Sequence, residues 1–127
     1  MYIRLPKRIR DGCVKAIDLA KKSEQHLEKD GKLHPLVGAV VLDSEGDILA
    51  EGTRLGVGRT HAEVDAISNL NSRKALVHTV ITTLEPCCYR GDPTEICCAK
   101  RIVRLGTRQV VIGTLDPARA RADISYP

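Results

Sequence analysis

With 127 residues the chain can build one hydrophobic core and is too short for two, so a single domain spanning residues 1–127 is expected. Its 43% apolar and 28% charged residues exclude a disordered chain, and no apolar run approaches the length that crosses a membrane. The formal net charge is +4, concentrated in Arg4, Lys7, Arg8 and Arg10 and along residues 100–108. With no Phe, no Trp and only three Tyr, however, the stacking platform of a single-strand nucleic-acid binder is missing.

Pro6 to about Lys29 is expected to be a helix. Ile9, Cys13, Ala16/Ile17 and Ala20 recur at three-and-four spacing as one buried stripe, Lys21, Lys22, Glu24 and Glu28 fall elsewhere, and Gly31 is a stop. Val37 to Asp43 and Ile48 to Leu55 have strand character, and Ser44-Glu45-Gly46-Asp47 between them is a turn, which predicts an antiparallel hairpin. Gly56 to Arg59 is a loop and Ala62 to Leu70 the next helix, with Thr60 and His61 at its entrance. Thr79 to Leu84, rich in β-branched residues, is a buried strand. Cys98 to Leu105 is a short helix closed by Gly106, and Gln109 to Gly113 is another buried strand. Two strands joined by a crossover helix should run parallel. The tail from Ala118 to Pro127 is polar and weakly patterned.

The chemistry-bearing residues stand at the starts and ends of these elements. His61-Ala62-Glu63 opens one helix, Pro86-Cys87 follows a strand, and Cys97-Cys98 opens the next helix. One imidazole and two thiolates form the mixed donor set that zinc prefers. Three protein ligands with a fourth position open mark a catalytic rather than a structural site. A nearby carboxylate that is not needed as a ligand is free to move protons. Residues two apart in a regular helix differ by about 200° around its axis. His61 and Glu63 can therefore converge only if His61 occupies the irregular cap position. Both helix starts direct partial positive charge and free N–H groups toward the thiolates. The N-terminus, Met-Tyr-Ile-Arg-Leu-Pro-Lys-Arg, lacks the apolar segment of a secretory signal. A cytoplasmic protein is therefore expected, with clustered thiols serving a metal rather than a disulfide framework.

Residues 37–117 resemble the cytidine deaminase superfamily, and within it most closely the deaminase domain of the bifunctional riboflavin-biosynthesis enzyme. The resemblance is carried by Pro35-Leu-Val-Gly-Ala-Val-Val, His61-Ala-Glu-Val-Asp-Ala-Ile, Thr83-Leu-Glu-Pro-Cys-Cys, Gly91 and Gly113-Thr-Leu-Asp-Pro. It implies an α/β fold of cytidine-deaminase type, a three-layer αβα arrangement with a central mixed sheet of about five strands. It also implies a zinc-dependent aminohydrolase acting on a cyclic amidine, with Glu63 carrying protons and His61, Cys87 and one more cysteine holding Zn2+. Either Cys97 or Cys98 can be that third ligand. Cys98 is favoured because Ala99, Ile102 and Gly106 follow it as the family's helix does. Cys88 and Cys97 are then spare. A Cys₄ site built from both Cys-Cys pairs would leave His61 and Glu63 without a role. Glu85 is expected to support the site structurally rather than to react.

The resemblance breaks at positions that contact substrate. The family's Asn before the proline is His34 here, its His two residues after the first cysteine is Tyr89, and its phosphate-meeting basic residue is Asp92. An aspartate repels a phosphate, and Arg90 is the nearest candidate to compensate. The reading is a deaminase that releases ammonia from an exocyclic amine of a pyrimidine-like base, nucleoside or nucleotide, with His34, Tyr89, Arg90 and Asp92 as candidate substrate contacts. The alternatives are the riboflavin-pathway diaminopyrimidine nucleotide deaminase and a nucleic-acid (tRNA or single-stranded DNA) deaminase. The reductase domain of the bifunctional enzyme is not expected in this chain, whereas a homo-oligomer (dimer or tetramer) is. Neither a membrane nor nucleic acid is expected as a partner.

Overall fold

The computed structural model describes residues 5–23, 36–54, 61–88 and 96–115. Among these the order is α1 (Lys7–Lys22), β1 (Gly38–Leu42), β2 (Ile48–Thr53), α2 (Ala62–Ser68), a 3₁₀ turn (Asn71–Leu76), β3 (Thr79–Leu84), α3 (Cys98–Arg104) and β4 (Gln109–Thr114). The sheet order is β2-β1-β3-β4. β1 runs antiparallel to both β2 and β3, and β3 runs parallel to β4. The hairpin and the parallel pair are those read from the sequence. Four strands stand among the described residues, against about five expected. None of the described helices is long and apolar enough to cross a membrane.

The period-2 alternation of β1 explains the three layers. Ala39 and Val41 point to one face and join Ala62, Ala66, Leu70 and Ile102 in a core beneath α2 and α3. Val40 and Leu42 point to the other face and join Ala16, Leu19 and Ile81 beneath α1. Every residue of β1 is therefore buried, which is why its sequence is a continuous apolar run. Two glycines let the helices lie directly on the strands. A Cβ on Gly38 would collide with Ala16 O and Ala20 N of α1, and one on Gly52 with Ala62 O and Ala66 N of α2.

Three expectations need correction. The buried face of α1 is Gly12, Ala16, Leu19 and Ala20. Ile17, 48% exposed, lies off it, because one residue after Ala16 it is turned by about 100° around the helix from that residue. The helix ends at Lys22, and the rest of the span expected to reach Lys29 lies outside the described residues apart from Ser23. β4 is not buried: Val110 is 42% and Ile112 38% exposed. Among the described residues β4 is an edge strand paired only with β3, so its apolar sequence gave a misleading signal. The 3₁₀ turn after α2 was not anticipated from its polar sequence, Asn-Ser-Arg-Lys. It begins at Asn71, the one described non-glycine residue with positive φ (54°). Gly106, φ 79°, closes α3 as expected.

Candidate functional site

α2 is fastened to β2 by its own polar side chains. Thr53 N–H donates to Asp65 Oδ2 (3.1 Å) and Asn69 Nδ2 donates to Glu51 O (2.9 Å). With Gly52 allowing close approach, these bonds fix where the helix begins. His61 is its N-cap residue, extended at φ −63° and ψ 156°. The condition for His61 and Glu63 to converge is thus met: the histidine lies outside the helical turn that carries the glutamate.

Cys87 lies three residues beyond the end of β3. Its carbonyl accepts from Ala99 N–H (3.0 Å) and its Sγ accepts from Cys98 N–H (3.3 Å), so the strand exit is tied to the first turn of α3. His61 Nδ1 lies 3.8 Å from Cys87 Sγ and 3.4 Å from Cys98 Sγ, and one donor atom from each of the three residues falls within 4.8 Å of the others. A tetrahedral zinc with bonds of about 2.3 Å to sulfur and about 2.0–2.1 Å to nitrogen sets N···S separations of about 3.6 Å. The donor set and its spacing therefore fit zinc. The fit selects Cys98 over Cys97, which caps α3 and is buried outside the trio. Cys88 is likewise not part of it, so a Cys₄ arrangement is not formed. The Cys87 thiol is pushed down to about 3. The largest cause is its hydrogen bond with the Cys98 side chain. Burial opposes it, and His61 and the Cys98 backbone N–H add to the lowering.

Glu63, 5% exposed, lies in the first turn of α2, and its Oε1 accepts from Thr82 Oγ1 at 3.0 Å. Thr82 is fully buried on β3, and its Oγ1 also lies 2.8 Å from Leu84 O. Sequence reasoning missed Thr82 because it stood in a β-branched run read only as strand. The period-2 pattern held the signal: Thr82 shares a face with Val80, which joins the core beneath α2. Glu85 is buried at the strand exit, where its N–H donates to Thr114 O (2.9 Å). His34, Tyr89, Arg90 and Asp92 lie outside the described residues.

A mixed nitrogen–sulfur metal site between two helix starts, on one face of a mixed sheet and with a buried glutamate in the adjoining turn, defines a zinc-binding domain of the αβα type. The chain belongs to the family described as the cytidine and deoxycytidylate deaminase zinc-binding region, whose model matches residues 12–114. It is 39% identical over 102 residues to the riboflavin biosynthesis protein RibD of Aquifex aeolicus, covering 80% of this chain and 26% of that protein. It is 37% identical over 84 residues to the diaminohydroxyphosphoribosylamino-pyrimidine deaminase of Buchnera aphidicola, 66% of this chain and 54% of that one. Among solved structures, a diaminohydroxyphosphoribosylaminopyrimidine deaminase/5-amino-6-(5-phosphoribosylamino)uracil reductase from Thermotoga maritima matches with a TM-score of 0.72 and 37% identity. That match covers 87% of this chain and 30% of that one. The chain thus spans about a quarter to about half the length of these relatives.

Proposed function

We propose that this domain is a zinc-dependent hydrolytic deaminase acting on an exocyclic amine of a pyrimidine-like base, nucleoside or nucleotide. His61, Cys87 and Cys98 hold the metal and Glu63 carries the protons. The observation that supports this most is the convergence of one imidazole and two thiols within 4.8 Å, with a buried carboxylate in the adjoining helical turn.

Zinc, when bound, supplies a Lewis acid that makes water nucleophilic at neutral pH. The chain's own residues do the rest. Glu63 accepts a proton from the attacking water and passes it to the ring nitrogen beside the amine-bearing carbon. Once the C–O bond has formed, Glu63 takes the second proton from the newly attached hydroxyl and delivers it to the amine as the C–N bond breaks, so that ammonia leaves and a carbonyl remains. Burial of Glu63 suits this work, since a carboxylate shielded from bulk water keeps its proton traffic within the site. The helix starts at His61 and Cys98 hold the thiolate charge.

The names of the relatives support a diaminopyrimidine nucleotide as substrate. Against it stand His34, Tyr89 and Asp92, which differ from the family where the riboflavin precursor is recognised. We therefore favour a substrate without a phosphate at the Asp92 position, such as a free base or nucleoside, held by His34, Tyr89 and Arg90. A homo-oligomer, dimer or tetramer, accompanies this reading. The test is ammonia release by the zinc-loaded protein against aminopyrimidines, cytosine, cytidine, dCMP, aminopurines and the diaminohydroxyphosphoribosylaminopyrimidine itself. Turnover of an unphosphorylated pyrimidine is the expected result. Inactivity across the whole panel would overturn the deaminase reading.

A further inference from the structure

We propose that Thr82 is a positioning residue for Glu63, its hydroxyl holding the carboxylate in the orientation from which it moves protons. The inference rests on the reading of Glu63 as the proton carrier and adds a residue outside the metal ligands and the motif glutamate. A glutamate side chain has three rotatable bonds, and helix placement alone fixes none of them. Here Oε1 is held at 3.0 Å by a hydroxyl from the central strand β3, at a fully buried position. Oε2 is then the oxygen we assign to the reacting groups. Cys87 follows the end of the same strand, so one backbone sets both the carboxylate and a metal ligand. A displacement of the carboxylate relative to the reacting atoms by about 1 Å can cost about 100-fold in rate.

The rival role for Thr82 is purely structural. Its hydroxyl has a single proton, and Leu84 O lies within reach at 2.8 Å. If that carbonyl were the only partner that matters, Thr82 would serve the strand end and not the carboxylate. The two roles separate in a double-mutant cycle on the thermal unfolding of the zinc-loaded protein. Thr82→Val, which keeps the shape and removes the hydroxyl, should lower Tm in the Glu63 background and cost much less in the Glu63→Ala background. An equal loss in both backgrounds assigns the hydroxyl to Leu84 O and overturns the proposal.

Kinetics with the best substrate of the panel above, and with diaminohydroxyphosphoribosylaminopyrimidine as a fixed probe, give the second readout. Thr82→Val should lower kcat by about 10- to 100-fold, the range expected when a hydrogen bond to a charged group is lost, with KM within about threefold and zinc content unchanged. Thr82→Ser, which restores the hydroxyl, should recover kcat to within about threefold. If Thr82→Val does not fold, Thr82→Ala against Thr82→Ser makes the same comparison, because that pair differs by the hydroxyl alone. A Glu63→Gln protein that retains kcat would overturn the proton-carrier reading, and Thr82 with it. An inactive Glu63→Gln beside a Thr82→Val with unchanged kcat would overturn the role of Thr82 alone.

Discussion

Replacing Cys98 and Cys97 separately by alanine tests the metal centre where two adjacent cysteines compete. Cys98 Sγ lies 3.4 Å from His61 Nδ1, close to the about 3.6 Å that a tetrahedral zinc imposes on a sulfur and a nitrogen. Removing it leaves His61 and Cys87 as the only members of the trio. Loss of a partner that merely supports a metal ligand costs about 10–100-fold in affinity, and loss of a direct ligand should exceed that. Cys98→Ala is thus expected to purify with little zinc, or to lose it to a mild chelator. Cys97 is buried but outside the trio, so Cys97→Ala should keep one zinc per chain. Its cost is a small cavity at the start of α3, about 1 kcal/mol of stability, or about 3–6 °C in Tm for a chain of this size. Elemental analysis and thermal unfolding read the two effects separately. Full zinc in Cys98→Ala with loss in Cys97→Ala would refute the geometric assignment.

Glu63→Gln should keep zinc and fold while lowering kcat by at least the about 10²–10⁴-fold typical of a general acid–base group; nearly normal kcat would remove Glu63 from the mechanism. Gly52→Ala should destabilise the protein by about 1–3 kcal/mol, since its Cβ would meet the backbone of Ala62 and Ala66. It should also weaken zinc binding by pushing the start of α2 and His61 off the sheet, and a variant with unchanged Tm and zinc affinity would show that α2 does not need that approach. Asp92→Lys should raise turnover of the phosphorylated diaminopyrimidine relative to its dephosphorylated form, as close charge pairs near a protein surface are worth about 1–4 kcal/mol. Efficient use of the phosphorylated compound by the unaltered protein, with no gain in Asp92→Lys, would place phosphate recognition elsewhere.

What was legible in the sequence was what local rules control. The hairpin followed from two apolar runs around Ser44-Glu45-Gly46-Asp47, and β3 from a β-branched run whose limits, Thr79 and Leu84, match the strand. His61 as a cap residue followed from helical geometry, because only an extended residue there could bring its ring toward the glutamate. What was not legible depended on neighbours distant in sequence. The four apolar residues Val110 to Ile112 and Val103 carry no mark that separates an edge from an interior, or an exposed helix face from a packed one. Ile17 fits the apolar stripe of α1 by spacing alone, yet the face turned to the sheet is that of Gly12, Ala16, Leu19 and Ala20. Thr82 escaped notice because a hydroxyl in a strand is unremarkable until a carboxylate from another element is known to face it.

The proposed reading lets the chemistry of the site and its recognition of substrate change independently. Each metal-binding side chain is placed by the sheet: His61 through α2 and its bonds to β2, Cys87 by the end of β3, and Cys98 by the strap from α3 back to Cys87. The trio and Glu63 are thus held by the same elements that build the fold. His34 precedes β1 in the sequence and Tyr89, Arg90 and Asp92 follow Cys87 in it, and all four lie outside the described residues. Under the proposed reading, a change from basic residue to aspartate at position 92 redirects the substrate while the metal and its proton carrier stay in place. On this argument the site should bind zinc with the geometry of its family even if the riboflavin precursor proves to be no substrate at all, and metal analysis and the substrate panel can return opposite answers without contradiction.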